Sequence, residues 1–463
     1  MKIFFIRQSV VADEIIPPLH FGYLAGSISS NHEIRIFDQL RDKYSDKYLQ
    51  KIVIREQPDV IGFSGYTKDM SSIKSMSQNL KKSIPDSKII LGGVQMTLMP
   101  KYTFEFFDDT IDFGFVGESE IAFSKFIDVL DTGIEDRRLD ELKNLVWKKN
   151  GEILVNEREN PNDLDEIPFP RWDLMDPRNY PKAPHGAFYK QFPPAPIITS
   201  RGCTYSCTFC AAPVLSGHKI RFRSMDNITE EIRLLHHTYG IKEIHIEDDN
   251  FSVSRRRVIE FSERMLKENL GLTWALPNGL RLDSLDIHIL KLMKKAGCYA
   301  LNVGIESGND RVLKRVNKKI TREKIKKQIS TVNEAGLSIG GFFIIGFPWE
   351  TSDEIEDTIN FARKLDLDRI GISYFQPYPG SKEYEMLSDS GEYRLNLSNN
   401  NLSLHTTSNV SKNLSQKKLK QLRFIGFIKF YFRPTIFIRF FREVKSLEHF
   451  EFVIKRGIRW LTS

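Results

Sequence analysis

Apolar and polar stretches alternate in a regular way over the first part of the chain. Within residues 1–131, short apolar runs suited to buried strands alternate with longer stretches whose apolar positions recur at helical spacing. This alternation predicts a doubly wound parallel sheet of the flavodoxin or Rossmann type, where ligands bind beyond the carboxyl ends of the strands. The predicted strands are 3–6, 34–37, 60–64, 89–91 and 113–116, and the predicted helices lie near 18–30, 46–57, 68–83, 100–108 and 118–131.

The same alternation resumes after Pro196 and continues for six units. Six units are two fewer than a closed (β/α)8 barrel needs, and functional groups in such folds gather at the carboxyl ends of the strands. The predicted strands are 197–200, 243–246, 272–276, 300–305, 338–345 and 369–375, with helices at 226–239, 254–269, 284–296, 321–335 and 352–365.

The segment between these two parts has a different pattern. Asn150-Gly151, flanked by apolar runs, is a strong hairpin signal, and a proline-rich stretch follows it as a stiff connector. We therefore predict an N-terminal domain over 1–140, a linker over 141–195, a barrel over 196–385 and a helical C-terminal region over 386–463.

Charge is distributed unevenly along the 463 residues. The net charge is +7, but residues 411–463 hold thirteen Lys or Arg and three Asp or Glu, so the tail carries +10 and the remainder is near −3. No run approaches the roughly 18 apolar residues that a membrane span needs, and the apolar N-terminus is too short for a signal peptide. With only four cysteines, three of them clustered, a disulfide framework is not expected, which favours a cytoplasmic protein.

The three clustered cysteines are the candidate metal ligands. Cys203, Cys207 and Cys210 form a C-x3-C-x2-C motif, and the fourth cysteine, Cys298, lies almost ninety residues further on. Three thiolates do not fill the four-ligand shell of a structural zinc or of a fully ligated iron–sulfur cluster. They leave one iron of a four-iron cluster open. The alternatives are a chance grouping or a zinc site completed by a distant histidine.

This motif, with aromatic Phe209 directly before its last cysteine, resembles that of the radical S-adenosylmethionine (SAM) enzymes. The resemblance implies that Cys203, Cys207 and Cys210 bind a 4Fe–4S cluster, and that SAM chelates the open iron and is cleaved reductively to methionine and a 5′-deoxyadenosyl radical. It also implies that the six units form a partial (β/α)6 barrel. We assign no catalytic side chain beyond the cluster ligands.

Polar groups at the predicted strand ends fall where the radical SAM family binds SAM. A zwitterionic sulfonium ligand needs carboxylate, guanidinium and backbone groups to hold its sulfur toward the cluster. Any one of these carboxylates alone is more typical of a surface or salt-bridge group, and it is their shared placement that favours binding. The residues that the resemblance implies for SAM are Phe209, Asp248, Arg281, Glu306, Ser307 and Gly346.

The first domain resembles the cobalamin-binding domain that precedes many radical SAM domains. Glycines and hydroxyl side chains follow three of its predicted strands, where a backbone can approach a large ligand closely. The D-x-H-x-x-G motif is absent, since Asp38 is followed by Gln39, Leu40 and Arg41, so cobalt would be held without this histidine. A flavodoxin-like domain that binds nothing is the alternative. The residues that the resemblance implies for cobalamin are Ser64, Thr67, Gly92, Gly93, Thr97 and Glu118.

The combined resemblance covers residues 1–380 and implies an enzyme. Its expected activity is the functionalisation of an unactivated carbon, with a methyl group delivered from methylcobalamin. The alternatives are a cobalamin-dependent radical cyclisation or rearrangement without methyl transfer, or a non-catalytic cobalamin- or SAM-binding sensor. Expected partners are a small-molecule or lipid substrate and an electron donor such as flavodoxin or ferredoxin. No nucleic acid is expected, because no recognition motif accompanies the basic charge.

The basic tail has two interpretations. Aromatic and basic residues interleave over 424–442 at roughly helical spacing, with a break at Pro434, after a Ser/Asn-rich stretch at 386–410 that predicts a loop. This pattern suits an interfacial helix in peripheral contact with an anionic membrane. It equally suits a helical subdomain that packs on the barrel, and similar Phe-Tyr-x-Arg-Pro endings in cobalamin-dependent radical SAM proteins favour that second interpretation.

Overall fold

The structure, a computed structural model, describes residues 1–8, 15–133, 136–182, 189–281, 283, 285–398, 402–403, 405–444 and 446–462. The chain forms two compact units. The first unit comprises Met1–Tyr180, Val214–Ser216 and Arg394–Asn401. The barrel unit comprises Pro181–Pro213, Gly217–Tyr393 and Leu402–Ser463.

The first unit contains a seven-stranded sheet. Its strands are β1 Lys2–Arg7, β2 Glu33–Asp38, β3 Val60–Ser64, β4 Lys88–Gly92, β5 Phe113–Phe115, β6 Leu145–Lys149 and β7 Glu152–Val155. They lie in the order β2-β1-β3-β4-β5-β6-β7, and the first five are parallel. The order reverses between β1 and β3, which is the point where doubly wound sheets bind ligands. The predicted parallel sheet is therefore confirmed.

Helices cover both faces of this sheet. Neighbouring residues of β1 belong to two different cores, since Phe5 packs with one cluster and Phe4 with the other. A strand buried on both faces is apolar throughout, which explains why the first strand has no alternation in its sequence. The helices of this unit are α1 Leu19–Ser27, α2 Gln39–Asp42, α3 Asp46–Glu56, α4 Met70–Ser83, α5 Val94–Leu98, α6 Pro100–Phe106, α7 Glu120–Thr132 and α8 Asp136–Glu141.

The hairpin predicted at Asn150-Gly151 forms between β6 and β7. Both turn residues have positive φ, 51° and 87°, as a two-residue type I′ turn requires. The hairpin pairs antiparallel with β5 and extends the first sheet. Sequence spacing alone did not indicate this pairing.

The barrel unit contains six parallel strands that follow chain order. The six strands are β8 Pro194–Ile197, β11 Glu243–Ile246, β12 Thr273–Leu280, β13 Cys298–Glu306, β14 Ser338–Ile345 and β15 Arg369–Tyr374. A separate two-stranded ribbon consists of β9 Ser200–Arg201 and β10 Arg221–Phe222. The sheet order is β15-β14-β13-β12-β11-β8, which confirms the open six-stranded barrel. The first strand lies earlier than predicted, because the chain leaves the sheet after Ile197 and Ser200–Arg201 pairs instead with β10.

Helices fill the crossovers and continue beyond the last strand. The predicted loop at 386–410 begins inside a helix, and residues 399–401 and 404 of it lie outside the described residues. No helix in the described part of the chain is long and apolar enough to cross a membrane. The helices are α9 Ala212–Ser216, α10 Met225–Tyr239, α11 Arg255–Glu268, α12 Ile287–Lys295, α13 Asp310–Arg315, α14 Arg322–Glu334, α15 Ser352–Lys364, α16 Lys382–Asp389, α17 Gln416–Tyr431, α18 Pro434–Glu443 and α19 Leu447–Thr462.

Helix α17 packs on the edge of the barrel at β15. Arg423 is almost fully buried, and its Nε donates to the Ile372 carbonyl over 2.9 Å. The Tyr431 hydroxyl donates to the Ile370 carbonyl at 2.8 Å and accepts from the Ile370 N–H at 3.1 Å. It thereby satisfies backbone groups on an edge strand that would otherwise be open to pairing. Helix α17 thus packs on the barrel, as the second interpretation expects for this part of the tail.

Candidate active site

The cysteine motif lies in the loop that follows the short strand β9. Cys203, Cys207 and Cys210 are half-buried, and the Ala212 N–H lies 3.4 Å from the Cys210 sulfur. Burial raises the pKa of all three thiols, that of Cys210 to about 11. A raised pKa favours the thiol over the thiolate, so ligation of iron has to displace these protons.

The donor set of this loop fits an iron–sulfur cluster better than a single ion. In the described parts of the chain, no three Cys, His, Asp or Glu side chains converge closely enough to hold one metal ion. A 4Fe–4S cluster does not require such convergence, because each thiolate ligates a different iron. Cys298 is buried at the start of β13, the opposite end of that strand from its predicted site residue.

Asp248, just beyond β11, is buried and bonded to the segment that precedes the cysteines. Its carboxylate accepts from the Thr199 N–H at 2.6 Å, the Thr199 hydroxyl at 2.5 Å and the Ser200 hydroxyl at 2.6 Å. Burial raises the pKa of this carboxyl, against the effect of these hydrogen bonds. In this arrangement Asp248 fixes the start of the cysteine loop, and a direct contact with SAM stays a prediction.

Arg281, beyond β12, joins the cysteine loop to a second loop. Its guanidinium lies 3.8 Å from the ring centroid of Tyr205, which stands between two of the cysteines in sequence. It pairs with Asp283 at 3.0 Å and donates to the Lys318 carbonyl at 2.7 Å. Because the side chain is buried, these contacts hold a positive charge beside the thiols.

Glu306, at the end of β13, forms a buried ion pair. Its carboxylate accepts from the Lys318 ammonium at 2.7 Å, and each side chain is 9% exposed. A Cβ on Gly304 would lie 2.9 Å from this ammonium, so a side chain at this position would displace the ion pair. Arg281, Gly304 and Lys318 also line a small cleft. Sequence analysis did not find Lys318, because nothing around it has the spacing of a motif.

Ser307 and Gly346 have local contacts that explain their positions. The Ser307 hydroxyl is fully buried, bonds the Thr358 hydroxyl at 2.9 Å and accepts from the Asn309 N–H at 3.1 Å. Gly346 has φ of +84°, and its N–H donates to Glu350 at 2.7 Å. Burial raises the pKa of Glu350 to about 8. Sequence analysis missed Glu350, because a carboxylate after a strand gives no sign of burial.

Phe209 packs near the turn that contains Gly346. Its ring lies 6.0 Å from that of Phe347 in an edge-to-face arrangement, and Phe347 stacks on Trp349 at 5.3 Å. The structure thus brings the aromatic residue of the cysteine motif next to the end of β14.

In the first unit, the predicted cobalamin residues of β3 and β4 meet at one edge of the sheet. Ser64 pairs in register with Gly92. Gly93 has φ of +92°, and a Cβ there would lie 2.6 Å from the Ser64 hydroxyl. The Thr97 hydroxyl donates to the Gly93 carbonyl and accepts from the Gly117 N–H, each at 2.9 Å. This is a close-packed surface of backbone and small side chains.

The remaining residues of this edge have mixed roles. Thr67 is buried in a short 3₁₀ turn, and the Glu118 carbonyl accepts from Asn144 at 2.8 Å. Asp69, which sequence analysis missed, accepts from the Tyr66 N–H at 2.8 Å, and its other oxygen is buried without a hydrogen bond among the described residues. Burial raises the pKa of Asp69.

Asp38, the first residue of the missing cobalamin motif, has a structural role in the first unit. Its carboxylate accepts from the Leu40 N–H at 3.1 Å, which caps α2. Its other oxygen accepts from the Tyr180 hydroxyl at 2.8 Å.

Comparison with known proteins identifies both parts of the chain. Residues 197–362 match the model of the radical SAM superfamily, and residues 9–127 match that of the B12 binding domain. An uncharacterized methyltransferase of Pyrococcus horikoshii is 33% identical over 96% of this chain and 93% of its own length. Cytidylyl-2-hydroxyethylphosphonate methyltransferase of Streptomyces wedmorensis is 28% identical over 79% of this chain and 76% of its own.

A solved structure shows the same fold. The cobalamin-dependent radical SAM enzyme OxsB, with aqua-cobalamin and SAM bound, superposes with a TM-score of 0.74 at 17% identity, covering 99% of this chain and 71% of that one. The chain therefore belongs to the radical SAM superfamily, with a B12-binding domain ahead of the barrel, and it is a cobalamin-dependent, methyltransferase-like radical SAM enzyme whose cofactors are a 4Fe–4S cluster, SAM and cobalamin.

Proposed function

We propose that this enzyme transfers a methyl group to an unactivated carbon of a small-molecule substrate. The observation that carries the proposal is the presence, in one chain, of an intact three-cysteine loop and a B12-binding domain. The similarity of this chain to two proteins named as methyltransferases supports it. When bound, the cluster and SAM supply a hydrogen-abstracting radical and cobalamin supplies the methyl group. Relatives named as cyclases also match this chain, at 24% to 26% identity, which is below the identity of the two methyltransferases and makes cyclisation the second candidate.

The chain's own residues would hold and orient these groups. We propose that Arg281 and Glu306 contact SAM from the ends of β12 and β13, while Asp248 and Glu350 fix the backbone on either side. Phe209, Ser307 and Gly346 would complete this surface. The proposed cobalamin contacts in the domain over 1–140 are Ser64, Thr67, Gly92, Gly93, Thr97 and Glu118.

The substrate is proposed only by class. The phosphonate methyltransferase relative acts, by its name, on a small nucleotide-linked molecule, which supports a small-molecule substrate here. A lipid remains within the proposed class. We also propose that a flavodoxin or ferredoxin supplies the electron that the cluster needs.

A peripheral membrane contact is the last element of the proposal. Helix α17 contains five Lys or Arg and no Asp or Glu. Phe424 is 48% exposed on it, and Phe432, directly beyond it, is 79% exposed. A cationic helix with exposed aromatic side chains suits an anionic lipid surface.

Vesicle sedimentation tests this contact. Wild-type protein should sediment with phosphatidylglycerol-containing vesicles and not with pure phosphatidylcholine, and Lys417→Glu/Lys420→Glu should abolish the difference. Lys326→Glu/Lys327→Glu, an equal charge change on exposed residues of α14, is the control. Equal sedimentation of all variants would contradict a membrane role for α17.

The central experiment is a product analysis of anaerobically reconstituted protein given SAM, a reductant and hydroxocobalamin, beside a cobalamin-free control. We expect 5′-deoxyadenosine in both samples, and retained cobalamin with methylcobalamin formation only where cobalamin is supplied. With a substrate, S-adenosylhomocysteine should form together with deoxyadenosine. Deoxyadenosine without S-adenosylhomocysteine would favour a rearrangement, and neither product would favour a sensor.

A further inference from the structure

Four residues of the barrel unit, which follow β13 in the chain, are hydrogen-bonded to the cysteine loop. They are residues 316–319, between α13 and α14, and we name them the clamp. Its contacts run along the loop rather than to one point. The Thr208 N–H donates to the Val316 carbonyl at 3.1 Å, and the Asn317 amide donates to the Ser206 carbonyl at 2.8 Å. The loop residues just before and just after Cys207 are therefore both tied to the clamp.

The backbone of the clamp is itself unusual. Asn317 and Lys319 have positive φ, 56° and 54°, although neither is glycine. Two non-glycine residues in the left-handed region cost free energy that the surrounding contacts must offset, and such strain gathers at functional sites. Because these two residues flank Lys318, their conformation determines where its side chain points.

Lys318 carries a buried positive charge within this group of contacts. Its ammonium donates to the Glu306 carboxylate at 2.7 Å, and its side chain is 9% exposed. Its carbonyl accepts from Arg281, whose guanidinium lies over the ring of Tyr205 in the cysteine loop. The two residues directly before Lys318 bond the backbone on either side of Cys207. The charge of Lys318 is therefore held next to the segment that carries this ligand.

We propose that the clamp is a positioning element for the cluster ligands, and that the Lys318 charge makes the bound cluster easier to reduce. Net charge and hydrogen bonding around the ligating sulfurs set the reduction potentials of iron–sulfur clusters. A reduced cluster carries one more negative charge than the oxidised one, so a nearby cation stabilises the reduced form. This inference rests on the cluster ligands named above and not on methyl transfer.

The test is a redox titration of reconstituted holoenzyme without SAM or substrate, followed by electron paramagnetic resonance. Lys318→Met should lower the midpoint potential, so that the ratio of reduced to oxidised cluster at a fixed potential falls about tenfold, which corresponds to about 59 mV for one electron. Lys318→Arg should restore most of the loss. Glu306→Gln should shift the potential the opposite way, because it removes the charge that offsets the lysine.

Lys314→Met is the matched control. It removes the same charge from an exposed residue of α13, outside the clamp, and should leave the potential unchanged. Equal shifts in the Lys318→Met and Lys314→Met variants would mean that net charge alone sets the potential and would overturn the proposal, as would no shift in either. If Lys318→Met retains no cluster while Lys318→Arg and Lys314→Met do, a buried charge is required for ligation, which supports the proposal.

A second variant tests the hydrogen bonding of the clamp separately from the charge of Lys318. Asn317→Gly keeps the left-handed backbone but removes the amide that bonds the Ser206 carbonyl. Iron and sulfide should then be lost several-fold faster to a chelator, with an unchanged midpoint potential. A chelation rate equal to that of wild type would show that the clamp does not hold the loop. Neither readout depends on turnover, so a failed methyl-transfer assay leaves both outcomes interpretable.

Discussion

At the carboxyl edge of the first sheet the predicted site consists of backbone amides, glycines and hydroxyls, whereas at the same edge of the barrel it consists of buried charges. Gly93 and Thr97 form a surface with little room for an added side chain. Two ion pairs, Glu306 with Lys318 and Asp283 with Arg281, lie at this edge of the barrel. The contrast teaches that two parallel sheets with equivalent edges suit different ligands. A bulky, largely uncharged ring system needs close approach, and a charged cluster with a zwitterionic ligand needs counter-charges.

The largest expected effect is the loss of SAM cleavage in the barrel with cobalamin binding in the first unit unchanged. Cys207→Ala removes one cluster ligand, so reductive SAM cleavage should fall to background, a loss greater than about 100-fold. Cobalamin retention by the first unit should be unchanged, as measured by absorbance after desalting. Cys298→Ala is the control, since that buried cysteine lies outside the loop and should leave the cluster content intact. Wild-type cleavage by Cys207→Ala would refute the assignment of the cluster.

The reciprocal change is Gly93→Ala in the first unit. Its Cβ would meet the Ser64 hydroxyl at 2.6 Å and the Gly65 nitrogen at 2.8 Å, at a φ that L-residues disfavour. Retained cobalamin should fall about tenfold or more while iron content is unchanged, because a strained backbone costs roughly 1–3 kcal/mol at this edge. Gly133→Ala has a similar φ but no atom within 4 Å of its Cβ, so it should retain cobalamin. Equal retention by the two variants would contradict a cobalamin site here.

Periodicity predicted the fold well because both sheets are parallel and buried. Every predicted strand of the two sheets exists, and 60–64, 243–246 and 338–345 match in full. The failures are local and have physical causes. The strand predicted at 197–200 is displaced because its apolar run continues past the point where the chain leaves the sheet. The pairing of the β6–β7 hairpin with β5 is a long-range contact that no local pattern encodes.

The site was less predictable than the fold. The cysteine spacing predicts the cluster ligands directly, since ligand geometry imposes spacing on sequence. Lys318, Glu350 and Asp69 carry no such constraint. They matter because of burial and partners that appear only after folding. In addition, Asp248 and Ser307 lie where predicted, yet their closest contacts are structural hydrogen bonds.

A pH-dependent prediction concerns the barrel alone. Burial raises the pKa of Glu350 to about 8, above its value in the unfolded chain. Between these two values the folded protein binds more protons than the unfolded one, so its stability should fall as pH rises from about 4.5 to about 8. Glu350→Gln should remove this fall in folding stability, which is on the order of a few kcal/mol.

Thermal unfolding of the cofactor-free protein measures this effect. Glu350→Gln should unfold near the wild-type temperature at about pH 5.5 and several degrees higher at about pH 8.5. A probe specific to the first unit should report the same unfolding temperature for Glu350→Gln as for wild type. A pH-independent difference between variant and wild type would mean that Glu350 is already ionised in the folded barrel.

The smallest expected effect lies at the edge of the barrel. Tyr431→Phe removes the hydroxyl that bonds both backbone groups of Ile370, and should lower the free energy of unfolding by about 1–2 kcal/mol. Chemical denaturation measures it. Tyr48→Phe, at a side chain that is 53% exposed in the first unit, should change stability by less than about 0.5 kcal/mol. An equal effect of the two changes would argue against a role of α17 in protecting β15.

The hydrogen bond between Asn317 and Ser206 joins residues 111 positions apart, and this distance has a consequence for biosynthesis. The cysteines leave the ribosome early, on the loop after the first barrel strand, whereas the clamp leaves it only after β11, β12 and β13. Domains acquire their structure during synthesis in N-to-C order. In a nascent chain that ends before residue 316 the three thiols therefore lack the support of the clamp, and a cluster bound at that stage should be held less firmly than in the complete barrel.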